Sequence, residues 1–201
     1  MIKEMVKRWY YDDERGFKYT FNPIEDTIKV KQTEDGFTVK YLIQDNDPDS
    51  PQEHSDGTVF LVHYHRDFTI REDSLILEAS IRVWYQGEKI PHTKDYHIFP
   101  VSAYIHSGVS LSLNTHFQCD TGGWDTSHVG AVLVSKKEFK KKEKAIKVAE
   151  NLIKYWNMYL GGDVYAMVSE TYDKDKNQLD YEVCGGSYGY KESVEALETE
   201  I

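Results

Sequence analysis

SKKEFKKKEKAIKVAENLIKYWNMYLGG, Ser135–Gly162, is the strongest helical pattern in the chain, and the class of the fold turns on it. Ser135 followed three residues later by Glu138 has the form of a capping box, in which hydroxyl and carboxylate each satisfy an orphaned amide. Ala145, Ala149, Leu152, Trp156 and Leu160 recur at helical spacing, with Ile146 and Ile153 beside them, so one face is apolar. Gly161-Gly162 supplies the backbone freedom with which helices end. The spacing predicts one long helix over about 136–160. Lys136, Lys137, Lys140, Lys141, Lys142, Lys144 and Lys147 crowd its first half, interrupted by Glu138 and Glu143. That mixture, poor in aromatics, fits a solvated helix face better than a phosphate-binding one.

Segments on both sides of the helix alternate with period two instead. TIKVKQ (27–32), the Glu34-Asp35-Gly36 turn and FTVKYLIQ (37–44) read as a β-hairpin, with Ile28, Val30, Phe37, Val39 and Tyr41 toward the core. TVFLVHYHRDF (58–68), 97–104 and the VSLSL that follows Gly108 read as strands, as does LILEASIRVWY (75–85), whose LILEAS also fits a helix. Pro100 must stand at an edge or a bulge, because it has no amide for a ladder. Beyond the helix, DVYAMVSETY and LDYEVCGG flank the polar connector DKDKNQ as a second hairpin. Strands on either side of a single helix make the class α+β, a mostly antiparallel sheet packed with one long helix. No repeat, linker or composition break divides the 201 residues, so one domain is expected. Residues 1–22 are a candidate N-terminal appendage, and 191–201 a short acidic C-terminal helix or tail.

A net charge of −10 argues against general affinity for nucleic acid or for an anionic membrane surface. The opening MIKEMVKRWYYDDERG is charged throughout, and no stretch reaches the length of a membrane span, so a cytoplasmic protein is expected. Cys119 and Cys184 lack metal-ligand spacing; both are expected to be reduced and at least one buried.

Chemistry-bearing residues concentrate in YIHSGVSLSLNTHFQCDTGGWDTSHVGAVLVS, Tyr104–Ser135. Together with the strand ending at His65 it offers a candidate binding surface of His65, His106, Ser107, Trp124, Asp125 and Ser127. The alternative is catalytic: Cys119 as nucleophile, His106 or His65 as base, Asp125 as orienter. A third is metallic, with His63 and His65 joined by His106 or Asp125. His63-Tyr64-His65-Arg66-Asp67 is similar to the H-x-H-x-D of metallo-β-lactamase-type hydrolases. It departs from that motif with Phe68 in place of the next His and Thr-Ile-Arg-Glu in place of a Gly-containing turn. Asp45, Asp47 and Asp49 alternate as in calcium loops, but the Gly and terminal Glu stand elsewhere, which leaves a solvated loop. GGSYGY (185–190) lacks G-x-G-x-x-G spacing and carries no nucleotide signal. The architectural reading is that Asp125 caps backbone amides, Trp124 covers the sheet edge and His106-Ser107-Gly108 is a tight turn.

A set of phrases carries a resemblance. They are Asp47-Pro48 through Pro51 and Glu53; Gly57-Thr58 through His65-Arg66; Tyr104-Ile105-His106-Ser107-Gly108; Phe117, Cys119, Trp124-Asp125-Thr126-Ser127 and Val129-Gly130; Gly162-Asp163-Val164-Tyr165; and Cys184 through Gly189. In this order they resemble an uncharacterised protein family carried by phages and mobile elements of Gram-positive bacteria, over roughly residues 40–190. The chain departs from it at Ile105, where the family has Asp, and in the inserted Asp120–Gly123. The resemblance implies a phage setting and a site rather than a reaction. With the acidic balance it leads to the expectation of a phage-encoded accessory protein that binds and inhibits a host protein, such as a CRISPR or other anti-phage defence component. No cofactor, no direct nucleic acid and no membrane are expected, and the oligomeric state is left open.

Overall fold

The hairpin at 27–44 forms as its alternation requires. In the computed structural model, which describes residues 21–51, 57–63, 93–113 and 117–199, β1 (Lys29–Gln32) pairs antiparallel with β2 (Gly36–Gln44). Ile28, Phe37, Val39 and Tyr41 are buried, and Val30 is half-buried against them. The turn closes through Thr33 N–H to the Gly36 carbonyl, 3.0 Å. Gly36 is demanded from the other side of the strand, since a Cβ there would lie 1.9 Å from the Tyr172 carbonyl oxygen. The strand predicted at 75–85 and nearly all of the N-terminal appendage lie outside the described residues.

The chain divides into two compact units, Met1–Asp49 with Gly162–Ile201, and Ser50–Gly161. In the first, β1, β2, β7 (Val164–Asp173) and β8 (Gln178–Tyr188) form an antiparallel sheet in that order. Asp45 N–H donates to the Val164 carbonyl at 3.0 Å, so the strand from which the chain leaves this unit and the strand by which it returns are neighbours. The Gln44 side chain adds bonds to the carbonyls of Gly162 and Val164. The β7–β8 turn is held by Asp173, whose carboxylate takes the Asn177 backbone and side-chain N–H groups at 2.8 and 2.9 Å. A helix at Tyr190–Thr199 packs on β2, β7 and β8, with Leu197 and Ser193 fully buried. Asp163 caps its start by accepting the Tyr190 amide at 3.0 Å, which satisfies one of the donors a helix leaves open.

The core of this unit contains a carboxylate. Glu170, completely buried, accepts from the hydroxyls of Tyr41 (2.8 Å) and Tyr172. A buried charge is tolerable only when hydrogen bonds replace its water, and the two tyrosines do this from β2 and from β7 itself. Burial first, then the bond to Glu170, holds the Tyr41 hydroxyl far above its ordinary pKa.

The second unit has a four-stranded antiparallel sheet in the order β3 (Val59–His63), β6 (Thr126–Ser135), β4 (Tyr96–Ile105) and β5 (Val109–Ser112). Gly130 allows β3 and β6 to approach, as a Cβ would lie 2.0 Å from the Val62 carbonyl oxygen. Pro100 meets both expectations for a strand proline. The β4–β6 register shifts next to it, between Val101 and Ser102, and β5 pairs with β4 only from Ser102 onward.

α1, Lys142–Leu160, crosses one face of this sheet; the helix at 190–199 is α2. The described residues thus hold two sheets in place of one, with α2 standing where a short C-terminal helix or tail was expected, and the class is α+β. α1 also begins later than its sequence suggests. Ser135 is the last residue of β6, opposite Tyr96, with its amide donated to the Thr58 carbonyl at 2.8 Å, and the N-cap position falls to Lys141 instead. The turn is taken up by 136–141, and the lysines along it and along α1 are exposed. The buried stripe is Ala145, Ala149, Ile153 and Trp156, with Leu152 and Leu160 partly buried against the same core, so the predicted apolar face forms and Ile146 is its exception, facing out. Burial of Ile153 and Trp156 against Phe99, Val101 and Val132 contributes about 2 kcal/mol each. The opposite sheet face buries Phe60, Val62, Ala131 and Leu133.

Candidate functional site

Strand pairing brings the two richest phrases of the sequence together. The β4–β5 turn, His106-Ser107-Gly108, lies beside the start of β6 because Tyr104 pairs with Thr126 and Ile105 N–H donates to the Asp125 carbonyl at 2.8 Å. His106 Nδ1 stands 3.3 Å from Asp125 Oδ2, with both side chains substantially exposed. Tyr104 is stacked on His106, with ring centroids 6.2 Å apart, and packs against Phe117 at 5.6 Å. Strand alternation places Tyr104 on the face opposite Val101 and Ala103, hence away from α1. Ser102, on that same face, bonds His128 Nδ1 at 3.1 Å.

Asp120 organises the loop. Its carboxylate accepts the amides of Trp124 (3.1 Å) and Asp125 (3.0 Å) and the Thr126 hydroxyl (2.7 Å). The Thr126 bond leads, the backbone amides follow, and together they outweigh desolvation to hold the Asp120 pKa below its ordinary value. The amide-capping role expected of Asp125 therefore belongs to Asp120. Trp124 does not cover the sheet edge. It is 91% exposed, the most exposed large apolar side chain among the described residues, and its indole lies over Gly122, where a Cβ would be 2.5 Å from its ring.

The catalytic alternative is only partly assembled. His106 and Asp125 are paired, and the Cys119 thiol lies near Tyr104, whose pKa it helps to raise. No hydrogen bond joins Cys119 to His106 among the described residues. Desolvation, then the nearby Cys119 and the carboxylates Asp125 and Asp120, raise the Tyr104 pKa, so the thiol's neighbour is a neutral phenol rather than a base. Both cysteines are exposed, which corrects the expectation that one is buried: Cys119 sits in the loop, and Cys184 on β8 outside the sheet's covered part.

His63 is buried in β3, edge-on to Trp156 at 5.9 Å, as a core residue of the second unit. His65 lies outside the described residues, as do Tyr64, Arg66 and Asp67. Among the described residues no three His, Cys, Asp or Glu side chains gather as metal ligands. The acidic alternation at 45–49 is used structurally, Asp45 accepting the amides of Asp47 (3.3 Å) and Gly186 (3.0 Å). Of the predicted surface, His106, Ser107, Trp124, Asp125 and Ser127 all reach solvent, and the turn and loop that carry them adjoin. Asp120 and Tyr104 are the two members the sequence reading missed. An Asp shortly before Gly122-Gly123 is a turn signal that could have found the first.

The chain matches no family model, no curated protein and no solved structure. No helix among the described residues is long and apolar enough to cross a membrane.

Proposed function

We propose that the chain is a non-catalytic accessory protein of a phage, acting in the cytoplasm of the bacterial host by docking on a host protein of the anti-phage defence machinery, CRISPR components included. The observation that carries this reading is Trp124, an almost fully exposed indole on a loop that the Asp120 carboxylate ties together by three hydrogen bonds. Exposed tryptophans are rare on monomer surfaces and common as the anchors of interfaces. A loop already ordered loses little further entropy when it is captured. The net charge of −10 supplies the rest, since an acidic ligand suits the basic groove of a nucleic-acid-handling enzyme. No cofactor enters this mode of action.

The test is capture from host lysate with the purified chain as bait, beside Trp124→Ala. The parent should retain a host protein that elutes as salt rises, because screening weakens the charged component, and Trp124→Ala should retain far less. Capture of nothing at any salt concentration, or equal capture by Trp124→Ala, would sink the proposal.

A hydrolase reading keeps one specific support, the His106–Asp125 contact beside Cys119. It requires Cys119 to react with a thiol probe at neutral pH well ahead of Cys184, because a base-activated thiol is thiolate there to a far greater extent than an ordinary one. Equal rates at the two sites leave Cys119 an ordinary exposed thiol.

A further inference from the structure

β8 ends the first unit's sheet among the described residues, and it is not built like a protected edge. Residues 178–185 are exposed on both faces, whereas the partner strand β7 alternates buried and half-buried. Leu179, Tyr181 and Val183 are 63%, 56% and 41% exposed. Val183 pairs with the buried Val168 and Tyr181 with the buried Glu170, so these side chains continue the core face outward past the last strand. Asp180 and Glu182 point to the other face, beside Thr171 and Ser169.

The backbone completes the picture. The Tyr181 amide donates to Asp180 Oδ1 at 2.9 Å, which marks it as directed to the open side rather than to β7. Amides alternate in direction along a strand, so Val183 presents its own on the same side, whereas the register shift between Thr171 and Tyr172 leaves Leu179 unpaired and interrupts the alternation there. Among the described residues the edge is therefore shielded at its centre by a neighbouring carboxylate and by the Phe21 ring, 6.3 Å from that of Tyr181, with no lysine or proline along it.

We propose that the β8 edge is a strand-addition site for an extended segment of a partner in which apolar and basic residues alternate. Apolar residues of the incoming strand would extend the row of Tyr181 and Val183, and its lysines or arginines would meet Asp180 and Glu182 on the opposite face. Asp180 acts as a latch: it holds the Tyr181 amide while the edge is open and turns to a cation when a backbone carbonyl takes that amide. Charge selects the occupant, because both acids lie on one face of an acidic molecule, and an acidic or uniformly apolar strand would leave them unpaired. This surface is made of other residues than the Trp124 loop and stands independently of the function proposed there.

The test uses the full chain and a fluorescein-labelled acetyl-Thr-Lys-Val-Lys-Val-Lys-Thr-amide, against a peptide of the same composition with its lysines in one block. Saturable anisotropy is expected for the alternating peptide, and affinity about ten-fold weaker for the blocked one. Asp180→Lys/Glu182→Lys should abolish binding, and the milder D180N/E182Q, with unchanged circular dichroism, should weaken it. Trp124→Ala should bind as the parent does, so loss of lysate capture with peptide binding intact counts against the Trp124 proposal alone. Equal affinity for both peptides, indifference to D180N/E182Q, or no binding overturns the strand-addition site. Self-association in the ultracentrifuge that disappears in D180N/E182Q also overturns it, by giving the edge to a second copy of the chain.

Discussion

Tyr41 and Glu170 meet at 2.8 Å, hydroxyl to carboxylate, in the interior of a sheet whose paired strands contribute one each. Tyr41→Phe removes a donor from a carboxylate that has lost its water, and should cost about 1–3 kcal/mol in urea unfolding at neutral pH. The pH dependence follows from the raised Tyr41 pKa. Its contribution is complete below the unfolded-chain value of about 10 and declines as pH rises beyond it, because the unfolded tyrosine then ionises while the folded one does not. The difference between parent and Tyr41→Phe should therefore narrow above that pH. A constant difference would show that the phenol is not held neutral.

Asp120 predicts the opposite sign. Its pKa is depressed, led by the Thr126 hydroxyl, so its hold on the loop is full above the ordinary carboxylate range and is lost as pH falls through the depressed value. The Trp124 indole N–H resonance, assigned with Trp124→Phe, should stay constant from neutral pH down to that point and then move toward its unfolded position. Asp120→Ala should place it there already at neutral pH with the melting temperature little changed. A resonance unmoved in Asp120→Ala would mean that the loop is held by something else.

Gly36 and Gly130 stand where no side chain fits, as a Cβ would be 1.9 and 2.0 Å from a carbonyl oxygen of the neighbouring strand. Neither has positive φ, so the cost of alanine is steric rather than conformational. Gly36→Ala and Gly130→Ala should each lose roughly 2–4 kcal/mol or fail to fold, measured by urea melts. Gly57→Ala is the contrast: it has φ 79° and open space around it, and should lose only about 1 kcal/mol.

Both cysteines are exposed and unbridged in the folded chain. Ellman's reagent should titrate two thiols without denaturant, and adding guanidinium should raise the count no further.

The hairpin at 27–44 was legible because each of its signals is local: alternation, an Asp-Gly turn and an apolar row. The start of α1 was not, since lysines favour helix and Ser135 with Glu138 mimics a cap, while the competing bond from Ser135 to Thr58 comes from a strand far back in the chain. The core carboxylate Glu170 was hidden for the same reason, as its donor Tyr41 is supplied through a strand pairing that periodicity cannot reveal. The division into two sheets left no trace in composition, because both are antiparallel and similarly apolar. At the site, the turn at 106–108 and the Trp-Asp-Thr-Ser phrase were recognisable as a cluster. The roles within it were not, since Asp120 and Asp125 are chemically the same residue and only backbone geometry decides which one collects the amides.

The bond between Asp45 and Val164 has a bearing on how the chain is made. On the ribosome β2 emerges long before β7, the strand it must pair with, and closing a loop of that length is entropically costly and slow. If the segment from Ser50 to Gly161 folds as soon as it emerges, as domains synthesised first do, its two ends are fixed and the effective loop shrinks from the whole insertion to the few residues at its borders. The second unit would then be a folding aid to the first, and slowing translation after Gly161 should leave the yield of native protein unharmed, whereas destabilising the inserted core at Trp156 should lower the yield of both.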